Sequence, residues 1–442
     1  VIAHPPRPAD CIARLSAFGD LHCEESVADW YAPKLTAAID IAAGYAPDVH
    51  VQLGDVAGGH DTAHLWTPAE RRVYMPVLRS FSTSAPTVFL TGNHDGEGEW
   101  HHALAATFPI HVAIDPGPIR IPGRRTIYVW ALPYPHRGHM AAGRSFPSLE
   151  AETEVLQGEI RAMLAEWGEA IVELRQEEPG AVHVVATHCD WRGAVPGGGE
   201  VRQVGGDLAV TPADLVATGA DLIIGGHIHG AQALSPRCLL AGSTRHLGHG
   251  ETGETRYHWI IDICSEPRAA DIRADDDGLQ FVWSDARGSV IATGLPTGAP
   301  RWMTVKARWT GARFEHDAIP ARAAGAEVRI EVEVAEEHAD TCPRGEAARR
   351  AVLGALPIFG CRVTTKIARA PRELRAPEML TADREDPVAL LRCYVESRGG
   401  GLDREQEKRI RRDILGTRDP LEALAQKHPA IAAEMLNAAR RS

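Results

Sequence analysis

A chain of 442 residues, 44% apolar and 24% charged, is longer than one ordinary core and divides on length alone into two or three units. That composition excludes wholesale disorder, and a formal net charge of −12 excludes a basic coat for nucleic acid while leaving room for a local groove or for a metal that supplies positive charge. No apolar run reaches membrane length, Val1-Ile2-Ala3-His4-Pro5-Pro6 lacks the pattern of a secretory leader, and the eight scattered cysteines form no Cys-x-x-Cys pair. Structural zinc and a disulfide framework are therefore not expected, and a reducing cytoplasm fits.

Residues 12–19 read as a short strand ending at Asp20. A helix is expected after Pro33, with apolar Leu35, Ile39 and Ile41, and Pro47-Asp48 ends it before a strand over Val49–Leu53. Thr67-Pro68-Ala69-Glu70 has the form of a capping box with proline in the first turn, so a second helix starts there and returns the chain to a strand over Thr87–Leu90. Strand, helix, strand, helix, strand is an α/β pattern. The stretch holding Pro116, Pro118, Pro122, Pro133 and Pro135 reads as loose. A long helix is expected over Ser148–Glu177, then a strand over Ala181–Ala186, then a glycine-dense excursion from Arg192 to Gly206 that reads as a functional loop or lid. Thr211-Pro212 starts another helix, Asp221–Ile224 is a strand, and Leu239–Ala241 and Arg256–Ile263 read as closing strands.

Ser265–Gly278 is polar and acid-rich, which places a boundary there and gives a first domain over 1–265. Beyond it, Val328, Ile330, Val332 and Val334 alternate with charged residues, as do Cys361, Val363, Thr365 and Ile367, with a helical Arg344–Leu353 between them. This makes a smaller α+β domain over 279–372. Asp386-Pro387 and Asp419-Pro420 each pair an N-cap with proline, so 380–442 is expected as short helices around the basic run Lys408-Arg409-Ile410-Arg411-Arg412.

Five apolar runs end alike: Gly19-Asp20-Leu21-His22, Gly54-Asp55, Gly92-Asn93-His94-Asp95, Thr187-His188 and Gly226-His227-Ile228-His229. An aspartate after glycine is often only a turn former, but five such ends can converge on one crevice at the carboxyl edge of a sheet. Histidine placement agrees, since 18 of the 21 histidines fall at or before His258. Two divalent ions roughly 3.5–4 Å apart need one shared carboxylate. Asp55 is the natural bridge because it arrives alone on its loop. Asp20 and His22, one residue apart, can point the same way and share an ion, while His227 and His229 can diverge to different ions. His94 would face the phosphate and Asp95 would orient it. His60, His64, His101, His102, His246 and His249 lack a strand-end setting and read as solvated or supporting residues.

Asp-x-His, Gly-Asp, Gly-Asn-His-Asp, a solitary His and Gly-His-x-His, in that order over roughly residues 12–265, closely resemble the calcineurin-like metallophosphoesterase superfamily. The resemblance implies a four-layer αββα sandwich. It implies that Asp20, His22, Asp55 and His229 hold one ion, that Asp55, Asn93, His188 and His227 hold the other, and that His94 is the catalytic histidine. Gly-His-Ile-His-Gly-Ala-Gln at 226–232, Leu240-Ala241-Gly242-Ser243-Thr244-Arg245 with Glu251 beyond it, and the C-terminal extension resemble SbcD-type DNA break-repair nucleases. That resemblance implies manganese ions, DNA as substrate, a capping domain, a homodimer, and an SbcC-like ATPase docked on the terminal helices. The chain departs from many relatives at Val56-Ala57-Gly58-Gly59, where an acidic residue or histidine is common. A phosphatase or phosphodiesterase acting on a non-DNA phosphoester is the competing enzyme, and a scaffold that has lost its chemistry is the competing non-enzyme.

Overall fold

The apolar, β-branched runs become strands, and the strands that end in metal-competent residues lie side by side. The computed structural model describes residues 6–58, 66–95, 104–106, 109–196, 208–251, 254–275, 278–320 and 323–368. In chain order the strands are β1 (Cys11–Phe18), β2 (Val49–Gln52), β3 (Thr87–Leu90), β4 (Ile110–Ala113), β5 (Gly117–Ile121), β6 (Ile127–Leu132) and β7 (Val182–His188). They continue with β8 (Asp190–Trp191), β9 (Ala209–Val210), β10 (Leu222–Gly226), β11 (Gln232–Ser235), β12 (Cys238–Leu240), β13 (Tyr257–Cys264), β14 (Asp271–Asp275), β15 (Gly278–Asp285) and β16 (Gly288–Pro296). One eight-stranded sheet has the order β14-β15-β16-β13-β1-β2-β3-β4, and a six-stranded sheet the order β11-β12-β10-β7-β6-β5. Within the first, β1 to β4 are parallel neighbours; within the second, β6, β7, β10 and β12 are. This is a mixed α/β fold with several sheets.

Parallel strands bury both faces, and successive side chains go to opposite sides. Ala13 and Leu15 of β1, Val51 of β2 and Val88 of β3 share one buried cluster with Val129, Val184 and Ile224 of the other sheet. Phe18, Phe89 and Ile260, on the other face, pack with Tyr31, Leu35 and Ile39 of α1 (Ala28–Gly44) and Leu78 and Phe81 of α2 (Pro68–Ser84). Trp130, Val185 and Ile223 pack with Leu156, Ile160 and Leu164 of α3 (Leu149–Glu177) and Leu215 of α4 (Pro212–Ala217). Each fully buried aliphatic or aromatic side chain in these clusters contributes about 1.5–3 kcal/mol.

The capping box forms as expected: the Glu70 amide donates to Thr67 Oγ1 at 3.1 Å and the Thr67 amide to Glu70 Oε2 at 2.7 Å. Four expectations need correction. α1 begins at Ala28, before Pro33, because a 3-10 turn over Glu25–Val27 leads into it and proline within the early turns gives up only one hydrogen bond. Ile41 is exposed on that helix. The proline-bearing stretch from 114 to 135 contains β5 and β6, and β6 is an interior strand, since its prolines fall outside Ile127–Leu132. The first sheet does not stop near 265: β16 pairs with β13 from Tyr257↔Pro296 to Cys264↔Ser289, so the polar stretch is a hairpin edge of the same sheet.

The first compact unit comprises residues 1–307, 316–331 and 343–364, and every residue discussed below at the metal centre belongs to it. Further strands are β17 (Trp302–Trp309), β18 (Phe314–His316), β19 (Glu327–Ala335) and β20 (Gly360–Ala368), with α5 (Gly345–Leu353) between the last two as expected. In the second unit Val332 and Val334 are buried, and Trp309 Nε1 donates to Thr341 Oγ1 at 3.3 Å. The helices expected over 380–442, most of the glycine-dense excursion, and His60, His64, His101 and His102 lie outside the described residues.

Candidate metal centre

Parallel neighbours deliver their carboxyl ends to one edge, so β1, β2 and β3 bring Asp20, Asp55 and Asn93 together. In the second sheet His188 is the register partner of Gly226, which sets His227 one residue beyond it. The glycines before these residues are required by packing as well as by turning. Gly54 has φ +98°, and a Cβ there would meet His188 Nδ1 at 2.2 Å; a Cβ on Gly92 would meet Asp55 Oδ1 at 2.1 Å. Among the described residues five non-glycine positions have positive φ, and three of them are His22 (45°), Asp55 (50°) and His227 (78°). Backbone held in that sparsely populated region gathers at functional sites.

The side chains converge. Asp20, His22 and His229 form one group with donor atoms within 4.8 Å of one another; Asp55, His188 and His227 form a second; His22, Asp55 and His94 form a third. Asp55 Oδ2 lies 3.3 Å from His188 Nε2 and 3.8 Å from His22 Nε2, which puts Asp55 between the sets. Asn93 Oδ1 sits 3.1 Å from His188 Nε2 and 2.9 Å from His227 Nδ1. His22 Nε2 and His229 Nε2 approach to 3.3 Å. Asp20, His22, Asp55 and His188 are all buried.

A cation accounts for this packing. His188 Nδ1 donates to the Leu53 carbonyl at 2.6 Å, so a neutral His188 presents a bare Nε2 to the Asp55 carboxylate and to the Asn93 carbonyl oxygen. Three electron-rich atoms then face one point, and a cation there satisfies all of them. In its absence the charges compensate one another. Burial would lower His188, but Asp55 and Asp20 push its pKa up to about 9. Burial raises Asp20 to about 6 against the pull of His188 and His229, and burial first, then His188, holds His227 down at about 3. Aspartate oxygens, an asparagine oxygen and neutral imidazoles are a fitting donor set for divalent ions.

The supporting residues are partly those expected. The His94 amide donates to Asp55 Oδ1 at 2.8 Å, while His94 Nδ1 is buried without a hydrogen-bond partner among the described residues. Asp95 therefore does not orient His94 through Nδ1. Its carboxylate instead accepts from the Ala57 amide at 2.9 Å and the Gly92 amide at 2.7 Å, tying the loop after β2 to the loop after β3. Burial, with Asp55 nearby, raises Asp95 to about 7. Glu251 was noted in the sequence only as a motif residue. It accepts from His229 Nδ1 at 2.8 Å, from the Leu247 amide at 2.9 Å and from Arg256 at 2.7 Å, which fixes the His229 tautomer with Nε2 toward the centre. Arg245 donates to the His22 carbonyl at 2.7 and 3.0 Å. His246 is buried, with Nε2 2.9 Å from the Glu254 carbonyl, so it serves structure.

Buried carboxylates, an amide and imidazoles meeting at the strand ends of two sheets define a metal-dependent phosphoesterase centre. Residues 13–231 match the family model described as calcineurin-like phosphoesterase, and the chain carries a domain of that family, whose members use two divalent metal ions. Among solved structures the chain is similar to a dimetal phosphatase from Danio rerio, at 12% identity and TM-score 0.37, covering 64% of this chain and 99% of that one. It is also similar to an amidase from Nesterenkonia sp., at 11% identity and TM-score 0.25, covering 67% and 94%. At such scores neither likeness bears on activity. No curated protein matches the chain.

Proposed function

We propose that the chain is an SbcD-like, manganese-dependent DNA nuclease that hydrolyses phosphodiesters in break processing together with an SbcC-like ATPase. The observation that carries the hydrolase part is Asp55, buried between two groups of ligand side chains. Asp20, His22, Asp55 and His229 would hold one ion, and Asp55, Asn93, His188 and His227 the other. When bound, such ions supply Lewis-acid polarisation of a phosphoryl oxygen and acidify a water. Carboxylate and amide oxygens suit manganese, which also accepts imidazole. The His94 ring, with Nδ1 unengaged, holds a proton for the leaving oxygen or donates to the phosphoryl group. Asp95 and Glu251 keep the ligand loops and the His229 ring in place.

A polynucleotide substrate is supported by the surface next to Glu251. His249 lies with its ring 4.5 Å from Trp302, and burial, then Arg329 and Arg362, hold its pKa below the ordinary value. An aromatic ring with two guanidinium groups beside a phosphoester centre suits a base and its backbone phosphates. We read the three buried clusters as the interior of a four-layer αββα sandwich and β17 to β20 with α5 as its cap. The ATPase contact is assigned to the helices expected over 380–442, the protein to a homodimer, and its place to the cytoplasm. Among these residues no helix is long and apolar enough to cross a membrane.

The test compares DNA with a chromogenic phosphodiester after chelation and manganese add-back. Cleavage of DNA, restored by manganese and lost in Asp55→Asn and His94→Asn, is expected. Turnover of the small ester without any DNA cleavage would move the assignment to a phosphoesterase of non-DNA substrates.

A further inference from the structure

At the end of β1 remote from the metal centre, two thiols face each other across the sheet. Cys11 and Cys264 are register partners on antiparallel β1 and β13. The Ser265 amide donates to the Asp10 carbonyl at 3.0 Å while the Cys11 amide donates to the Pro8 carbonyl, so the two cysteines do not bond to each other's backbone. They form a non-hydrogen-bonded pair, the type in which Cα atoms stand about 4.5 Å apart and side chains approach closest. That separation lies at the lower edge of the roughly 4.4–6.8 Å that a disulfide spans. Both are free and buried. Cys11 Sγ also reaches the Asp262 carboxylate at 3.3 Å and the Ala13 carbonyl at 3.1 Å.

We propose that Cys11 and Cys264 are a reversible redox pair, a modification site at which a hydroperoxide turns two thiols into one cross-strand disulfide. Polarity within the pair assigns the roles. Cys11 Sγ lies 3.3 Å from the Asp262 carboxylate, which disfavours a thiolate there, whereas Cys264 has the Arg268 guanidinium beside it; the contact between the two thiols acts in the same sense, holding Cys264 below the ordinary thiol range and pushing Cys11 up. Cys264 is the attacking thiolate and Cys11 the resolving thiol. The Cys264 sulfur attacks the peroxide, an S–O bond forms as the O–O bond breaks, and hydroxide leaves to take up a proton. The Cys11 sulfur then attacks the Cys264 sulfenic sulfur. An S–S bond forms, the S–O bond breaks, and water leaves with the Cys11 proton. In total two thiols are oxidised, and one hydrogen peroxide is reduced to two waters.

Arg7 reaches Cys11 and Arg268 reaches Cys264, and these side chains are 26% and 30% exposed. Arg7 is anchored by Asp48 and Arg268 by Asp10, surface ion pairs of the kind that open readily. The site is separate from the metal centre, because the eight residues of β1 span roughly 25 Å at about 3.3 Å each.

The test treats the folded full-length protein with hydrogen peroxide, blocks remaining thiols by alkylation, unfolds and digests it, and maps cross-links by mass spectrometry. The expected product is a peptide pair joined through Cys11 and Cys264, lighter by two hydrogen atoms and separated by dithiothreitol. In Cys11→Ser, which lacks the resolving thiol, a dimedone adduct accumulates on Cys264; in Cys264→Ser, Cys11 gives none. Recovery of both thiols in alkylated form after peroxide, or oxidation of Cys264 to sulfinic acid with no link to Cys11, would overturn the proposal. Mapping of the unsubstituted chain decides the matter by itself if either variant fails to fold.

Discussion

Replacing Glu251 by glutamine tests whether the carboxylate behind His229 tunes the metal centre. The carboxylate is buried, accepts from His229 Nδ1 at 2.8 Å and pairs with buried Arg256 at 2.7 Å; burial opposes its charge, yet His229 and Arg256 hold its pKa at about 2. Glutamine keeps the shape and one acceptor but removes the charge that makes His229 a stronger donor toward a cation. Losing such a partner costs about 10–100-fold in metal affinity, or about 1.4–2.7 kcal/mol. Arg256 is left with Glu254 at 3.2 Å, a partly exposed partner, so a stability loss on the order of 1–3 kcal/mol accompanies it. Calorimetric titration of the chelated protein with manganese reads the first effect, and thermal unfolding in chelator reads the second. Wild-type metal affinity in a folded Glu251→Gln protein would refute the argument that this carboxylate acts through His229.

Three further outcomes follow from the same geometry. His94→Asn lowers phosphodiester cleavage by about 10²–10⁴-fold, measured as kcat under saturating metal, because a proton-holding ring is lost. Gly54→Ala, which places a methyl group 2.2 Å from His188 Nδ1 in a residue at φ +98°, weakens metal binding and destabilises by more than about 1 kcal/mol in denaturant titrations. His50, His183 and His258 are buried and depressed by burial from 6.5 to about 4, 4 and 3. Since the unfolded chain binds those protons first, their contribution is complete above pH 6.5 and is lost as pH falls toward 3, with His258 worth on the order of 4 kcal/mol across that window. His258→Phe, which keeps the stack on Phe18 and removes two ring nitrogens without hydrogen-bond partners among the described residues, flattens that acid slope in pH-dependent unfolding.

The strand ends that gather at the candidate metal centre were legible because their signals are local: a β-branched run, a glycine, then a donor residue, repeated on parallel strands. The glycines in particular carried more than turn chemistry, since Gly54 and Gly92 mark backbone pressed against His188 and Asp55. What escaped reading depends on distant partners. Nothing near Glu251 in the sequence indicates that it meets His229, and the adjacency of Asp95 to His94 suggested a contact when its oxygens belong to Ala57 and Gly92. The boundary near 265 was misplaced for a related reason. β14 is an exposed edge, with the Arg273 side chain 73% accessible, so it reads as a linker although it is hydrogen-bonded to β15. β6 was hidden by prolines that flank an interior strand without entering it, and β5 by Pro118, which a strand at the sheet edge tolerates.

The Asp95 clamp bears on how the protein acquires its ions. Two loops that carry candidate ligands are stapled by a carboxylate that belongs to none of the three ligand groups, so their spacing is settled before any ion arrives. Stripping the metals from such a protein leaves an idle but folded chain, and reloading it proceeds at the pace of ion capture, with no refolding to wait for.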